Sequence, residues 1–321
     1  MVAGLSSPAA AYRRLSFWLD TVPGSLTPRP SLDRDLDVDV AIVGAGYTGL
    51  WTAYYLALVD PSLRIAVVEK EVAGFGASGR NGGWCSALFA ASKAKVARVS
   101  GRDGAMALQR ALFATVDEVG RVAAAEGIDC HYAKGGTVVL ARTTVQAARL
   151  YAEVDEERSW GFGSDDVRWL SAAEASARVA ATGVLGGAYT PHCAALHPAR
   201  LVRGLASAVE RRGITIYERT PARGLGDRVV ETPGGRVRAE VVVRATEGYT
   251  ATLPGLRRAI APVYSLMIAT EPLPTSFWSS VGWRNRETLT DGRHLIIYAQ
   301  RTADNRIAFG GRGAPYHFRS G

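Results

Sequence analysis

The sequence predicts an α/β fold, α+β over the chain as a whole, from three observations. DVAIVGAGYTG at residues 39–49 carries an apolar strand through three spaced glycines into a helix, and RIAVVE at 64–69 adds a second apolar run that ends in an acid. From Leu256 onward the chain reads as strands throughout, in APVYSLMIATEP, RHLIIYAQR and RIAFGGR, separated by Pro, Gly and Asp turn signals. The first two make a Rossmann-like dinucleotide-binding unit, and the third adds a separate mixed sheet.

The fingerprint assigns a role to each residue. Val40 to Val43 read as a buried strand, Gly44 makes the tight turn, Gly46 admits a pyrophosphate, and Gly49 packs helix on sheet. Tyr47 and Thr48 begin a helix whose N-terminal N–H groups face the phosphates, and Leu50, Tyr54, Leu56 and Leu58 give it an apolar face. Glu69, followed by Lys70, lies twenty positions past Gly49, where it accepts from ribose hydroxyls. The plain alternative is a glycine-rich loop; strand, turn, helix, strand and acid in register argue against it.

The other elements follow in order. Residues 1–37, with Pro23, Pro28, Pro30 and an acidic stretch from Asp33 to Asp39, form an extended arm over the domain surface. Ala90 to Glu126 is alanine-rich and predicts one or two helices ended by Gly127. A strand at 137–141, a helix at 144–160 and a shorter one near 172–179 follow. Pro198 opens a helix over 199–212 that leads into a strand at 214–218 and a β-ribbon of 228–231 and 237–245 around Pro233-Gly234-Gly235.

Composition sets bounds. The 321 residues are 47% hydrophobic and have room for two domains or one large one. The net charge of +8 rests on arginine, since Lys70, Lys93, Lys95 and Lys134 are the only lysines, and there is no basic stretch with interleaved aromatics. Nucleic-acid binding is therefore not expected. Cys85, Cys130 and Cys193 are odd in number and lack CxxC spacing, which points to a reducing, cytoplasmic setting. No secretory signal and no membrane span are expected. The five histidines, His317 among them, lack metal-binding spacing, so no metal is expected.

A second loop, GFGASGRNGGWCS at 74–86, places five glycines with Ser78, Arg80 and Asn81 just past Glu69. Its backbone can approach a ligand closely, Ser78 can donate to a phosphate oxygen, and Arg80 can balance anionic charge. The alternative is a mobile surface loop. Cys85 could be imagined as a covalent attachment point, although small-residue packing explains it as well.

With SFWLD at Ser16, VDVAIVGAGYTGLWTAYYL at Val38, GASGRNGGW at Gly76, HPARLVRGL at His197, ATEGYT at Ala245 and PVYSLMIATEPLP at Pro262, the chain resembles the FAD-dependent oxidoreductases of the D-amino-acid oxidase and glycine oxidase superfamily. Within it the chain is most similar to the gamma-glutamylputrescine oxidase-like group. The resemblance implies a flavin domain of separated stretches (38–127 and 196–255) and an inserted mixed-sheet substrate domain (128–195 and 256–321). It also implies that FAD contacts include Gly82 and Gly83, that Pro221 and Ala222 lie near the adenine, and that Thr246 and Gly248 of ATEG approach the dinucleotide. Ordinary sheet packing is the alternative for these last positions.

The activity the resemblance implies is oxidation of an amine or amino acid. Hydride passes from the carbon bearing nitrogen to flavin N5, the imine hydrolyses, and oxygen or another acceptor takes the electrons. Tyr298 and Arg301, with Gln300 and Arg312, are the residues placed to anchor such a substrate, arginine by clamping a carboxylate; alternate residues of these strands could equally face solvent. The family pattern returns to the flavin domain beyond Gly321 with a segment that closes over the flavin ring. That makes a truncated, non-catalytic fragment with weak or no nucleotide binding the alternative, and an NAD-dependent dehydrogenase a weaker one.

Overall fold

A computed structural model describes residues 8–312; residues 1–7 of the expected arm and 313–321 of the expected substrate domain, with His317, lie outside the described residues. The described residues form two compact units, one within Met1–Asn81, Glu126–Cys130 and Pro198–Val263, the other within Gly82–Ala125, His131–His197 and Tyr264–Gly321. This differs from the expected partition, which placed residues 128–130 and 256–263 in the substrate domain, whereas they group with the first unit, and 196–197 in the flavin domain, whereas they group with the second. The stretch from Gly82 to Ala125 groups with the second unit, and the N-terminal residues group with the first.

The first unit holds a six-stranded sheet in the order Thr215–Tyr217, Ile65–Val68, Leu36–Val43, Gly235–Arg244, Val229–Thr232, Gly224–Gly226. The first four strands are parallel and the last two antiparallel. Ile65–Val68 is buried at every position and Val40 to Val43 likewise, as strands covered on both faces require. The helix Pro198–Glu210 buries Leu201, Val202, Leu205, Ala206 and Val209 along one stripe.

The N-terminal residues are more than a surface wrap. The short helix Phe17–Thr21 is capped by Ser16, whose hydroxyl accepts from the Leu19 N–H at 3.2 Å, and Trp18, Leu19 and Leu26 are buried. Further on, the Arg29 guanidinium and backbone N–H both donate to the fully buried Glu218 carboxylate, at 2.8 and 2.7 Å, and Ala73 N–H adds a third bond at 2.7 Å. Apolar anchors and this buried carboxylate fix the segment that its prolines suggested would lie outside.

The second unit is built on a seven-stranded sheet in the order Ser265–Ala269, Ile307–Arg312, Ile297–Arg301, Thr288–Asp291, Thr137–Ala141, Gly186–Thr190, Arg168–Ser171. Thr288–Asp291 runs parallel to Thr137–Ala141, and the other neighbours are antiparallel. A two-stranded ribbon pairs Trp84–Ser86 with Cys193–Ala195. The alanine-rich stretch forms helix over Lys93–Ala125, broken at Gly101, where φ is 72°. One expectation fails: the segment beyond Leu256 also contains a helix, Thr275–Val281, entered from Pro274 and ended by Gly282 in the left-handed region. Its Trp278 packs with the buried Trp283, and that burial overrides the poor helix propensity of TSFWSSV.

Candidate functional site

The first unit shapes a cradle at the start of the helix Tyr47–Val59. Gly44 turns with φ 110°, and a Cβ there would lie 2.4 Å from the Ala245 carbonyl oxygen. A Cβ on Gly49 would lie 2.0 Å from the Gly44 carbonyl oxygen and 3.1 Å from Ile42 Cγ2, so only glycine lets the helix sit this close to the strand. Gly46 is the N-cap residue and offers no side-chain cap. Instead the Ser78 hydroxyl comes across from the second loop and accepts from the Tyr47 N–H at 2.9 Å. A Cβ on Gly46 would meet that same oxygen at 2.9 Å. The Ser78 hydroxyl and the N-terminal end of a helix thus face one small space, the arrangement that suits a phosphate.

Glu69 is aimed by the backbone. Its Oε2 accepts from the Ala45 N–H at 2.8 Å and its Oε1 from the Glu71 N–H at 2.9 Å. These bonds fix the carboxylate beside the turn and leave each oxygen a further lone pair for a hydroxyl. Burial pushes its pKa up, against the pull of the two backbone donors. Lys70 and Thr48 are exposed; Tyr47 sends its hydroxyl to the Pro198 carbonyl at 3.0 Å.

Arg80 ends the short helix Ala77–Arg80, donates to the Tyr249 hydroxyl at 3.1 Å, and lies 4.9 Å from the Phe75 ring centroid. Tyr249 is a partner the sequence reading missed, although it stands directly after ATEG. The Asn81 amide closes the same helix by donating to the Ala77 and Ser78 carbonyls, both at 3.1 Å, while its own carbonyl accepts from the Trp18 indole at 2.8 Å. Thr246 shares a 2.7 Å hydrogen bond with Thr250, and Gly248 is half-buried beside Pro262. Ala222 is partly buried against the apolar cluster of the six-stranded sheet. Among these residues the geometry brings Gly44, Gly46, Tyr47, Gly49, Glu69 and Ser78 together, and it makes Asn81 a closing contact of its own helix.

The second unit places Tyr298 and Gln300 on one face of the strand Ile297–Arg301. A Cβ on Gly82 would lie 2.9 Å from the Tyr298 ring. Gln300 is fully buried, and its amide donates to the Gly82 carbonyl at 2.8 Å and the Leu196 carbonyl at 3.2 Å. The Gln300 Oε1 is buried without a hydrogen-bond partner among the described residues. Arg301 projects from the other face, three residues on. Its guanidinium donates to Asn305 Oδ1 at 2.6 Å and the Trp283 carbonyl at 2.8 Å, and lies 4.2 Å from the Trp278 ring centroid. Tyr298 and Arg301 are therefore not brought together. Arg312 is exposed. Burial pushes the Tyr298 phenol up from its ordinary pKa. Cys85 lies half-buried in the ribbon opposite Ala194.

Among the described residues, no group of three or more His, Cys, Asp or Glu could hold a metal ion, and no helix is long and apolar enough to cross a membrane. Comparison with known proteins gives the site its context. Gamma-glutamylputrescine oxidoreductase of Escherichia coli (strain K12) is 31% identical over 290 residues, 88% of this chain and 66% of its own length. Glycine oxidase of Geobacillus kaustophilus is 30% identical over 292 residues, 85% of this chain and 73% of its own. The crystal structure of that glycine oxidase superposes with a TM-score of 0.64 at 27% identity, over 88% of this chain and 73% of the other. A Proteus myxofaciens L-amino acid deaminase, at 17% identity and a TM-score of 0.67, shares the fold. The chain spans about two thirds of the length of the first curated relatives it matches. The DAO family of FAD dependent oxidoreductases matches residues 39–321, and this chain belongs to that family.

Proposed function

We propose that this protein binds FAD and oxidises the C–N bond of an amine or amino acid, passing the electrons to oxygen or another acceptor. The observation that carries the reading is the cradle in which the Ser78 hydroxyl and the Tyr47 N–H meet over Gly46, beside a Glu69 carboxylate held by two backbone donors. In this reading the pyrophosphate accepts from the helix N–H groups and from Ser78, and Glu69 accepts from the ribose. Arg80 adds positive charge nearby, Thr246 and Gly248 give close backbone approach, and Ala222 flanks the adenine. The second glycine-rich loop and the family favour FAD over NAD.

Bound FAD supplies a two-electron acceptor for hydride. The substrate carbon gives up hydride and its nitrogen a proton; the resulting imine takes up water and yields a carbonyl compound and an amine. Of the chain's own residues, the half-buried Tyr298 orients the substrate, and the fully buried Gln300 supports it by fixing the Gly82 and Leu196 carbonyls. Arg301, already engaged by Asn305, Trp283 and Trp278, holds the strand rather than the substrate. The names of the relatives support gamma-glutamylated amines and glycine as the first compounds to try. A cytoplasmic setting belongs to the same reading.

The test is anaerobic bleaching of the FAD-loaded protein across polyamines, gamma-glutamylated amines, N-methyl amino acids and simple amino acids, with peroxide read on admitting air. Bleaching by at least one amine is expected. A protein that holds flavin and is bleached by none of these classes contradicts the assignment.

A further inference from the structure

The second unit also carries an outward-facing surface that neither its sheet nor its site accounts for. Between Glu71 and Asp103 the sequence holds no acidic residue, and Lys93, Lys95, Arg98 and Arg102 close that stretch. The strand Trp84–Ser86 leads into it through Ala87, which is buried, donates its N–H to the His192 carbonyl at 3.1 Å and accepts from the Gln109 amide at 3.0 Å. Directly beyond this anchor two large apolar side chains face water: Leu88 is 87% exposed and Phe89 45%.

Lys93 is the next anchor, paired with Glu157 and lying 5.5 Å from the Phe162 ring centroid. A helix starts there and is broken at Gly101. At about 100° per residue, Lys95, Arg98 and Val99 fall on the side opposite Lys93. Lys95 and Arg98 are exposed, with no ion pair or side-chain hydrogen bond among the described residues, and Val99 is 91% exposed. The exposed acids Glu153, Asp155 and Glu156 belong to the helix Thr144–Ser159 that Lys93 engages, across from Lys95 and Arg98. Past the break, Arg102 is held by the Ser159 carbonyl and the Trp160 ring. Chain length keeps the outward groups together: Phe89 is at most about 14 Å from Lys93, and the helix rises only about 9 Å from Lys93 to Val99.

Apolar side chains left in water beside unpaired cations match a partner that offers hydrocarbon beneath a layer of negative charge. A nucleic acid or an acidic peptide would take the cations and leave Leu88 and Val99 in water. We propose that this surface docks on anionic lipid bilayers, with Leu88, Phe89 and Val99 seated at the headgroup boundary and Lys95 and Arg98 paired with lipid phosphates. The contact lies on the membrane and does not cross it. Lipid binding is read without flavin or substrate, so it stands apart from the proposed oxidation.

Co-sedimentation of the whole protein with vesicles tests this. Vesicles of phosphatidylcholine and phosphatidylglycerol in equal parts should bind it at least tenfold more tightly than phosphatidylcholine alone, since each cation near an anionic surface contributes about fivefold. The double substitution Lys95→Glu/Arg98→Glu should abolish that difference, and Leu88→Ser/Val99→Ser should weaken binding to the anionic vesicles at least tenfold. All four side chains are exposed, so neither pair should shift the Tm measurably. Equal binding to the two kinds of vesicle, or binding that survives the charge reversal, overturns the proposal. So does full vesicle binding by the Leu88/Val99 variant, or a DNA duplex bound as tightly as the anionic vesicles, either of which would leave charge alone as the attraction.

Discussion

Replacing Gly46 with valine separates the cofactor cradle from the fold that supports it. At Gly46 the backbone has φ −87° and ψ −172°, an extended conformation that a β-branched residue adopts without strain. The new Cβ lands 2.9 Å from the Ser78 Oγ, and its methyls reach about 1.5 Å further into the space before the helix N-terminus. Ser78 must give up its 2.9 Å bond to the Tyr47 N–H. Losing that one neutral hydrogen bond costs the apoprotein about 0.5–1.5 kcal/mol, a fall in Tm of about 1–2 °C for a chain of this size. A bound pyrophosphate would lose two hydrogen bonds to a charged group, about 3–6 kcal/mol together. That corresponds to a loss of FAD affinity of about 10²–10⁴-fold.

Gly49→Ala is the control: its Cβ would sit 2.0 Å from a backbone oxygen that cannot rotate away, so the helix must lift from the strand. Overpacking of this kind costs about 1–3 kcal/mol or more, and Tm and FAD affinity should fall together. The assay is quenching of flavin fluorescence on titration, with thermal denaturation of each variant alongside. Unchanged FAD affinity in Gly46→Val, or a drop in its Tm as large as that of Gly49→Ala, refutes the placement of the pyrophosphate.

Other outcomes follow from the same contacts. Glu218→Gln strips the charge that Arg29 and two backbone N–H groups share in a buried site; breaking such a pair costs about 3–5 kcal/mol, and urea denaturation that detects no loss contradicts the anchoring of the N-terminal segment. The Arg212 guanidinium, helped by Tyr54 and Arg211, holds the Glu126 carboxyl at a pKa of about 2 against an ordinary 4.5. Because the folded value is the lower one, its stabilisation is present above pH 4.5 and is lost as pH falls towards 2. After solvent screening this amounts to about 0.2–1 kcal/mol, and Glu126→Gln should flatten that part of the pH–stability curve. Arg301→Ala should lower Tm while leaving the KM of any substrate within about twofold, since the guanidinium is engaged inside its own unit; a tenfold rise in KM would return Arg301 to the substrate.

Local chemistry explains what the sequence made legible. The fingerprint could be read because its glycines, strand and acid are each fixed by contacts within a few dozen residues: Gly49 against Gly44, Glu69 against the Ala45 N–H. Ser78 stood out in the sequence as a phosphate donor in a glycine-rich loop, whereas its bond to the Tyr47 N–H at a helix terminus, 31 residues away, depends on tertiary contacts. Strands such as Gly186–Thr190, Cys193–Ala195 and Thr288–Asp291 were not, since they are short and take their order from distant partners. Pro274 and Gly282 do bracket the helix Thr275–Val281, but the β-branched runs on either side masked that signal. Separating Tyr298 from Arg301 needed only the two-residue period of a strand, whereas the engagement of Arg301 by Trp278, Trp283 and Asn305 depends on tertiary contacts.

In the proposed function, the Gly44–Gly49 turn, Ser78 and Glu69 hold the dinucleotide half of FAD. The most direct measurement is the visible absorption spectrum of the purified protein after incubation with FAD and removal of free ligand, beside the same protein incubated with NADH. Flavin bands should be retained with FAD and lost in Gly46→Val, with no nicotinamide absorbance retained. Retention of NADH with no flavin bands, or of neither cofactor by a folded protein, would contradict it.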